Sequence, residues 1–114
     1  MRTLAELQLA DKDRLAIQRA AAILREQFDV ERVILFGSKA RGDDRADSDI
    51  DLLVLTRGPV SRAVKDQMTD ALFDLQLEYS VLLSKLVVPV DEWEHGLYQA
   101  LPIKDEVDRE GVAA

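Results

Sequence analysis

The chain has 114 residues, the size of one small domain able to bury a modest core without staples. Its 22 acidic against 15 basic residues leave a net charge of −7, which repels a polyanionic backbone and argues against direct binding of long nucleic acid. No cysteine is present, so disulfides and thiolate zinc sites are excluded. No apolar run nears the ~20 residues of a membrane-spanning helix. Met1 to Glu6 lacks the apolar core of a signal peptide, and the expectation is a cytoplasmic protein of one domain spanning residues 1–114.

Taken in chain order, Asp11 to Phe28 reads as a helix, because Ile17, Ala21, Leu24 and Phe28 recur at helical spacing. Val33 to Phe36 is a continuous apolar run that fits a strand buried on both faces. Ile50 to Leu55 reads as a second strand, and Thr56-Arg57-Gly58-Pro59 breaks it. Ser61 to Tyr79 follows as a helix with Val64, Met68, Ala71, Leu72, Leu75 and Tyr79 on one face. Ser80 to Val88 is a third strand ended by Pro89, and Asp91 to Ala100 a third helix. Pro102 opens a last helical segment that Gly111 terminates. The expected fold class is α/β, a small mixed sheet covered by helices.

Between the first two strands lies the stretch that carries chemistry, Gly37-Ser38-Lys39-Ala40-Arg41-Gly42, followed by Ser48-Asp49-Ile50-Asp51. Gly37 lets the chain turn sharply and lets a ligand approach the backbone. Ser38 can cap a short helical turn and offer its hydroxyl to phosphate oxygens. Arg41, three residues on, returns to the same side and can reach the same anion. Asp49 and Asp51 are two apart on a strand, so their carboxylates share a face with Cα atoms ~7 Å apart. Hard oxygen donors in that number suit Mg²⁺, which takes a few carboxylates plus substrate phosphates. Lys39 reads as solvent-facing, and Asp43, Asp44, Arg45 and Asp47 as an exposed loop; a surface pairing of Arg41 with Asp43 or Asp44 is the alternative to its anion-binding role.

Gly37-Ser38, ten residues, then Asp49-x-Asp51 resembles the motif of the DNA polymerase beta superfamily of nucleotidyltransferases. The Gly-Ser-x-Ala-Arg-Gly form and the small size resemble its minimal branch, the MNT proteins, often the antitoxins of HEPN/MNT pairs. The resemblance implies a polymerase beta-like nucleotidyltransferase fold. It implies Asp49 and Asp51 as catalytic metal ligands for Mg²⁺, and Gly37, Ser38 and Arg41 as the nucleotide-binding group. The implied partners are a nucleoside triphosphate, ATP before others, and a HEPN-type toxin. A third acid sits on the following strand in that family, whereas Ser80 to Val88 contains none; Glu78 and Asp91 flank it.

Two functions stay open on these residues. One is an enzyme moving AMP from ATP to a hydroxyl of a partner protein. The other is a nucleotide-binding or protein-binding antitoxin module that lacks the third acid. His95 reads as a surface or packing residue, Trp93 and Tyr98 as core, rim or partner contacts, and Asp105, Glu106, Asp108 and Glu110 as the wet face of the last helix.

Overall fold

The computed structural model describes residues 1–43, 45 and 48–114. Asp44 and Asp47 of the expected acidic loop lie outside the described residues. In chain order the elements are β1 (Arg2–Thr3), a 3-10 turn (Leu4–Glu6), α1 (Asp11–Gln27), β2 (Val30–Phe36), α2 (Ser38–Arg41) and β3 (Ile50–Thr56). They continue with α3 (Arg62–Tyr79), β4 (Leu83–Pro89), α4 (Val90–His95), a second 3-10 turn (Leu97–Ala100), α5 (Pro102–Glu110) and β5 (Val112–Ala113).

The strands form one mixed sheet in the order β1-β5-β2-β3-β4. β2 and β3 are antiparallel, with Ile34 opposite Leu53 and Phe36 opposite Asp51. β3 and β4 are parallel, with Asp51 opposite Ser84 and Leu53 opposite Leu86, a pairing that needs the α3 crossover between them. Side chains alternate across the sheet, so β2, β3 and β4 each feed two cores. On one face Val33, Leu35, Ile50, Leu52 and Val54 meet Ile17, Ala20 and Leu24 of α1 and Met68, Leu72 and Leu75 of α3. On the other, Ile34, Leu53, Leu55 and Val88 meet Trp93 of α4 and Val107 of α5.

The two long helices, α1 and α3, stand where the apolar periodicity predicts them. Asp11 and Asp13 occupy the first turn of α1, where carboxylates complement the helix dipole. α3 is capped by Ser61, whose Oγ accepts from the Val64 amide at 3.1 Å. It stops at Ser80, which turns left-handed at φ 53°, so the third strand begins at Leu83 rather than Ser80. Gln76 reaches over this turn and accepts from the Leu83 amide at 2.8 Å. The segment expected as a helix over 91–100 is α4 plus a 3-10 turn, separated at Gly96, whose backbone is extended. β1 and β5 were not expected, since two residues carry no periodicity.

β2 ends at Gly37, whose φ of 77° and ψ of −157° belong to a region that side chains other than glycine's avoid. A Cβ at this position would also overlap Oδ2 of Asp51 across the β2–β3 pair. Gly37→Ala therefore combines backbone strain with a clash, and a loss of about 1–3 kcal/mol is expected in urea unfolding. Adding Asp51→Gly to that variant removes the clash and should recover part of the loss. A Gly37→Ala protein as stable as the parent would contradict this packing.

Candidate functional site

Gly37 hands the chain to α2, a single turn in which Ser38 is half-buried and Gly42 closes the helix in the left-handed region at φ 81°. The Gly42 amide donates to the Ser38 carbonyl at 2.9 Å. One turn is too short to be stable by itself, and the surrounding chain supplies the ties. Arg2 Nη2 donates to the Ala40 carbonyl at 3.0 Å and to the Glu110 carbonyl at 3.0 Å, joining α2 to the end of α5. Lys39 is buried, contrary to the solvent-facing expectation, because its ammonium pairs with Asp13 of α1 at 2.8 Å.

Asp51 lies in the second residue of β3, on the face of Leu53 and Leu55, and Asp49 precedes the strand and is exposed. The β2–β3 register brings the Asp51 carboxylate against Gly37, so the turn and one of the two acids expected to act with it are adjacent. Arg41 does not stand free. Its guanidinium contacts Asp43 at 3.1 Å, Glu106 at 3.3 Å and Glu110 at 3.5 Å. The pairing with Asp43 is the surface alternative to anion binding that the sequence offered for Arg41. Glu106 and Glu110 do not belong to a purely wet face: four residues apart on α5, they share one side of it and reach the site.

The charges are unbalanced at Asp51. Burial raises its pKa above the ordinary carboxylate value, and the carboxylates of Asp49 and Glu106 push the same way, while Arg41 pulls it down in part. A cation between Asp49 and Asp51 would relieve that repulsion, and two carboxylates are a donor set that would fit Mg²⁺ with the rest of its shell supplied by other oxygens. A closed cage is a different matter. Among the described residues, no three of His, Cys, Asp and Glu gather closely enough to hold a metal.

The third acid is absent from the position where the resemblance would put it. On the Asp51 face, β4 presents Ser84, Leu86 and Val88 in register with Asp51, Leu53 and Leu55. Glu78 belongs to the opposite helical layer, where it pairs with Arg19 of α1. Asp91 follows Pro89, five residues beyond Ser84 on β4, or ~17 Å along the strand. Neither reaches the Asp49–Asp51 pair. Trp93 is core, with its ring 5.6 Å from that of Tyr98 and the Lys104 ammonium 5.5 Å over its face, and His95 is exposed on the same helix. Glu106 is the carboxylate that sequence reasoning missed; its four-residue spacing from Glu110 was the available signal.

The raised pKa of Asp51 has a definite sign in stability. The folded chain holds this proton more tightly than the unfolded chain does. The penalty is absent at acid pH, grows as pH rises from the ordinary carboxylate value through the raised one, and is complete at neutrality. Asp51→Asn should therefore raise the metal-free Tm at pH 7 and flatten its decline between acid and neutral pH. An Asn variant with a lower Tm and an unchanged slope would contradict this account of the site.

Comparison with known proteins agrees with the geometry. The family model for the nucleotidyltransferase domain matches residues 17–110. A candidate protein adenylyltransferase of Methanocaldococcus jannaschii, MJ0141, is 36% identical over 67 residues, which make up 59% of this chain and 66% of that protein. The solved structure of a candidate minimal nucleotidyltransferase aligns with a TM-score of 0.60 and 25% identity, over 90% of this chain and 95% of its own. A chain of the complex between tri-AMPylated Shewanella oneidensis HEPN toxin and MNT antitoxin shares the fold at a TM-score of 0.54 and 17% identity, over 88% of this chain and 69% of that one. The chain therefore belongs to the nucleotidyltransferase domain family, as one of its minimal members.

Proposed function

We propose that residues 1–114 act as one Mg²⁺-dependent nucleotidyltransferase domain that transfers AMP from ATP to a hydroxyl of a partner protein. The observation that carries the reading is the close approach of Gly37 to the Asp51 carboxylate, which supports a joint role for the Gly37–Arg41 turn and the acids that flank Ile50. Asp49 and Asp51 would hold the metal, and when bound it would neutralise charge on the triphosphate and the departing pyrophosphate. The Asp51 carboxylate fills the side-chain space of Gly37, and the Ser38 hydroxyl with the amides of its turn would hydrogen-bond the phosphate. Arg41 exchanges its exposed carboxylate partners for phosphate oxygens, a charge-assisted pairing of the same kind.

In the transfer, the acceptor oxygen bonds to the α-phosphorus while the bond to the β-phosphate bridge breaks, and pyrophosphate carries the electron pair away. The hydroxyl proton goes to a base that β4 does not supply, and the acceptor protein is the reading's source for it. ATP as donor and a protein as acceptor are supported by the name of the Methanocaldococcus relative, a candidate protein adenylyltransferase. A HEPN-type toxin as the partner is supported by the Shewanella complex, in which such a toxin is AMPylated beside an MNT antitoxin. The acid-free face of β4 favours a second reading, in which the domain binds nucleotide and toxin without turnover.

Both readings require a metal-nucleotide site, and calorimetric titration tests it. With Mg²⁺ present, ATP should bind the parent chain more tightly than GTP, CTP or UTP. Asp51→Asn and Asp49→Asn should each lower that affinity at least about tenfold, roughly 1.4 kcal/mol. Omission of Mg²⁺ should have the same effect on the parent. Failure of every nucleotide to bind, with metal present and the chain folded, would sink the assignment.

A further inference from the structure

One charge pair lies outside the chemistry described so far. Asp13, in the first turn of α1, and Lys39, the second residue of α2, approach to 2.8 Å with side chains only 5% and 1% exposed. They are 26 positions apart in sequence. The Lys39 ammonium also donates to the Arg45 carbonyl at 3.3 Å. Arg45 is itself closed onto Ser48: its amide donates to Ser48 Oγ at 2.8 Å, and its carbonyl accepts from the Ser48 amide at 3.0 Å. Ser48 adjoins Asp49. One buried cation is thus bonded to α1, sits inside the turn carrying Ser38 and Arg41, and touches the loop that delivers Asp49.

A pair this deep is an improbable device for stability alone, since desolvating two charges consumes most of their attraction and apolar replacements of similar volume are often neutral or stabilising. Its geometric effect is specific. Successive helical residues are rotated by about 100°, so a Lys39 side chain drawn toward α1 fixes the azimuth at which Ser38 and Arg41 leave the same turn. We propose that the Asp13–Lys39 pair is the positioning device of this site, setting the orientation of the Ser38–Arg41 turn and the approach of the Asp49 loop through the Arg45 carbonyl. Lys39 and Asp13 are positioning residues; neither needs to touch substrate. The consequence for nucleotide affinity rests on the proposed nucleotide site, whereas the ordering of the turn does not.

The test is Asp13→Leu/Lys39→Met, which replaces both members of the pair with apolar groups. Folding should persist, with a Tm equal to the parent's or higher. Amide hydrogen exchange at Lys39 to Gly42 and at Ile50 should become at least about tenfold faster while β2 and β4 keep their protection, a local effect distinct from global destabilisation. Mg-ATP affinity should fall at least about tenfold. Lys39→Arg, which keeps a cation for Asp13, should retain most of the protection. Unchanged exchange in this segment, or protection lost evenly over the whole sheet, overturns the proposal. Should the double variant not fold, Asp13→Asn keeps the shape and decides by the same exchange comparison. Should the parent bind no nucleotide, the functional assignment fails while the exchange result still judges the positioning role.

Discussion

The constraint on which the site depends is the register of β2 against β3. Phe36 lies opposite Asp51, so the chain leaves β2 through Gly37 just as the Asp51 carboxylate emerges from β3. The two meet so closely that no side chain fits on Gly37. A shift of one residue would send Asp51 into the α1–α3 core and bring Leu52 to the turn. The apolar alternation of β3 forbids that shift, because Leu52 and Val54 are claimed by one core and Leu53 and Leu55 by the other. The same hydrophobic pattern that folds the sheet therefore fixes where the acids stand.

Electrostatics complete the arrangement. Asp51 suffers from its burial and from Asp49 and Glu106, and Arg41 offsets only part of this. Arg41 is meanwhile held by Glu106, Glu110 and Asp43 in partly exposed pairs of small individual worth. The site thus carries an excess of carboxylate that a cation would compensate, and an arginine whose partners a phosphate would replace under the proposed function. Both features suit a metal-bound polyphosphate, and both arise because α5, docked by Val107 on the sheet, brings its two acids over the end of β3.

Much of this was legible in the chain. Gly37, Ser38, Asp49 and Asp51 lie within fifteen residues of one another, and the rules that relate them are local: a glycine at a strand end, a cap, a two-residue period. The central strand and the long helices declare themselves by unbroken periodicity. What could not be read depends on tertiary contact. Lys39 reads as a surface residue from sequence, since lysine is almost never buried unless paired, and its partner Asp13 lies 26 positions away on α1. Glu106 and Glu110 look like the wet side of an amphipathic helix until the docking of α5 is known. β1 and β5 are defined by their neighbours, with no pattern of their own, and Gly96 divides a segment whose composition still reads as helical. The acid-free third strand was visible at once, and the register shows that neither Glu78 nor Asp91 fills its place.

The central claim is nucleotidyl transfer to a protein hydroxyl, and intact mass tests it most directly. The chain would be co-expressed with the product of the neighbouring reading frame and incubated with Mg²⁺ and each nucleoside triphosphate in turn. The account predicts a gain of one or more AMP masses on the partner with ATP, absent when the chain carries Asp49→Asn. A stable complex whose partner gains no nucleotide mass with any triphosphate would contradict it, leaving the domain as a binding module.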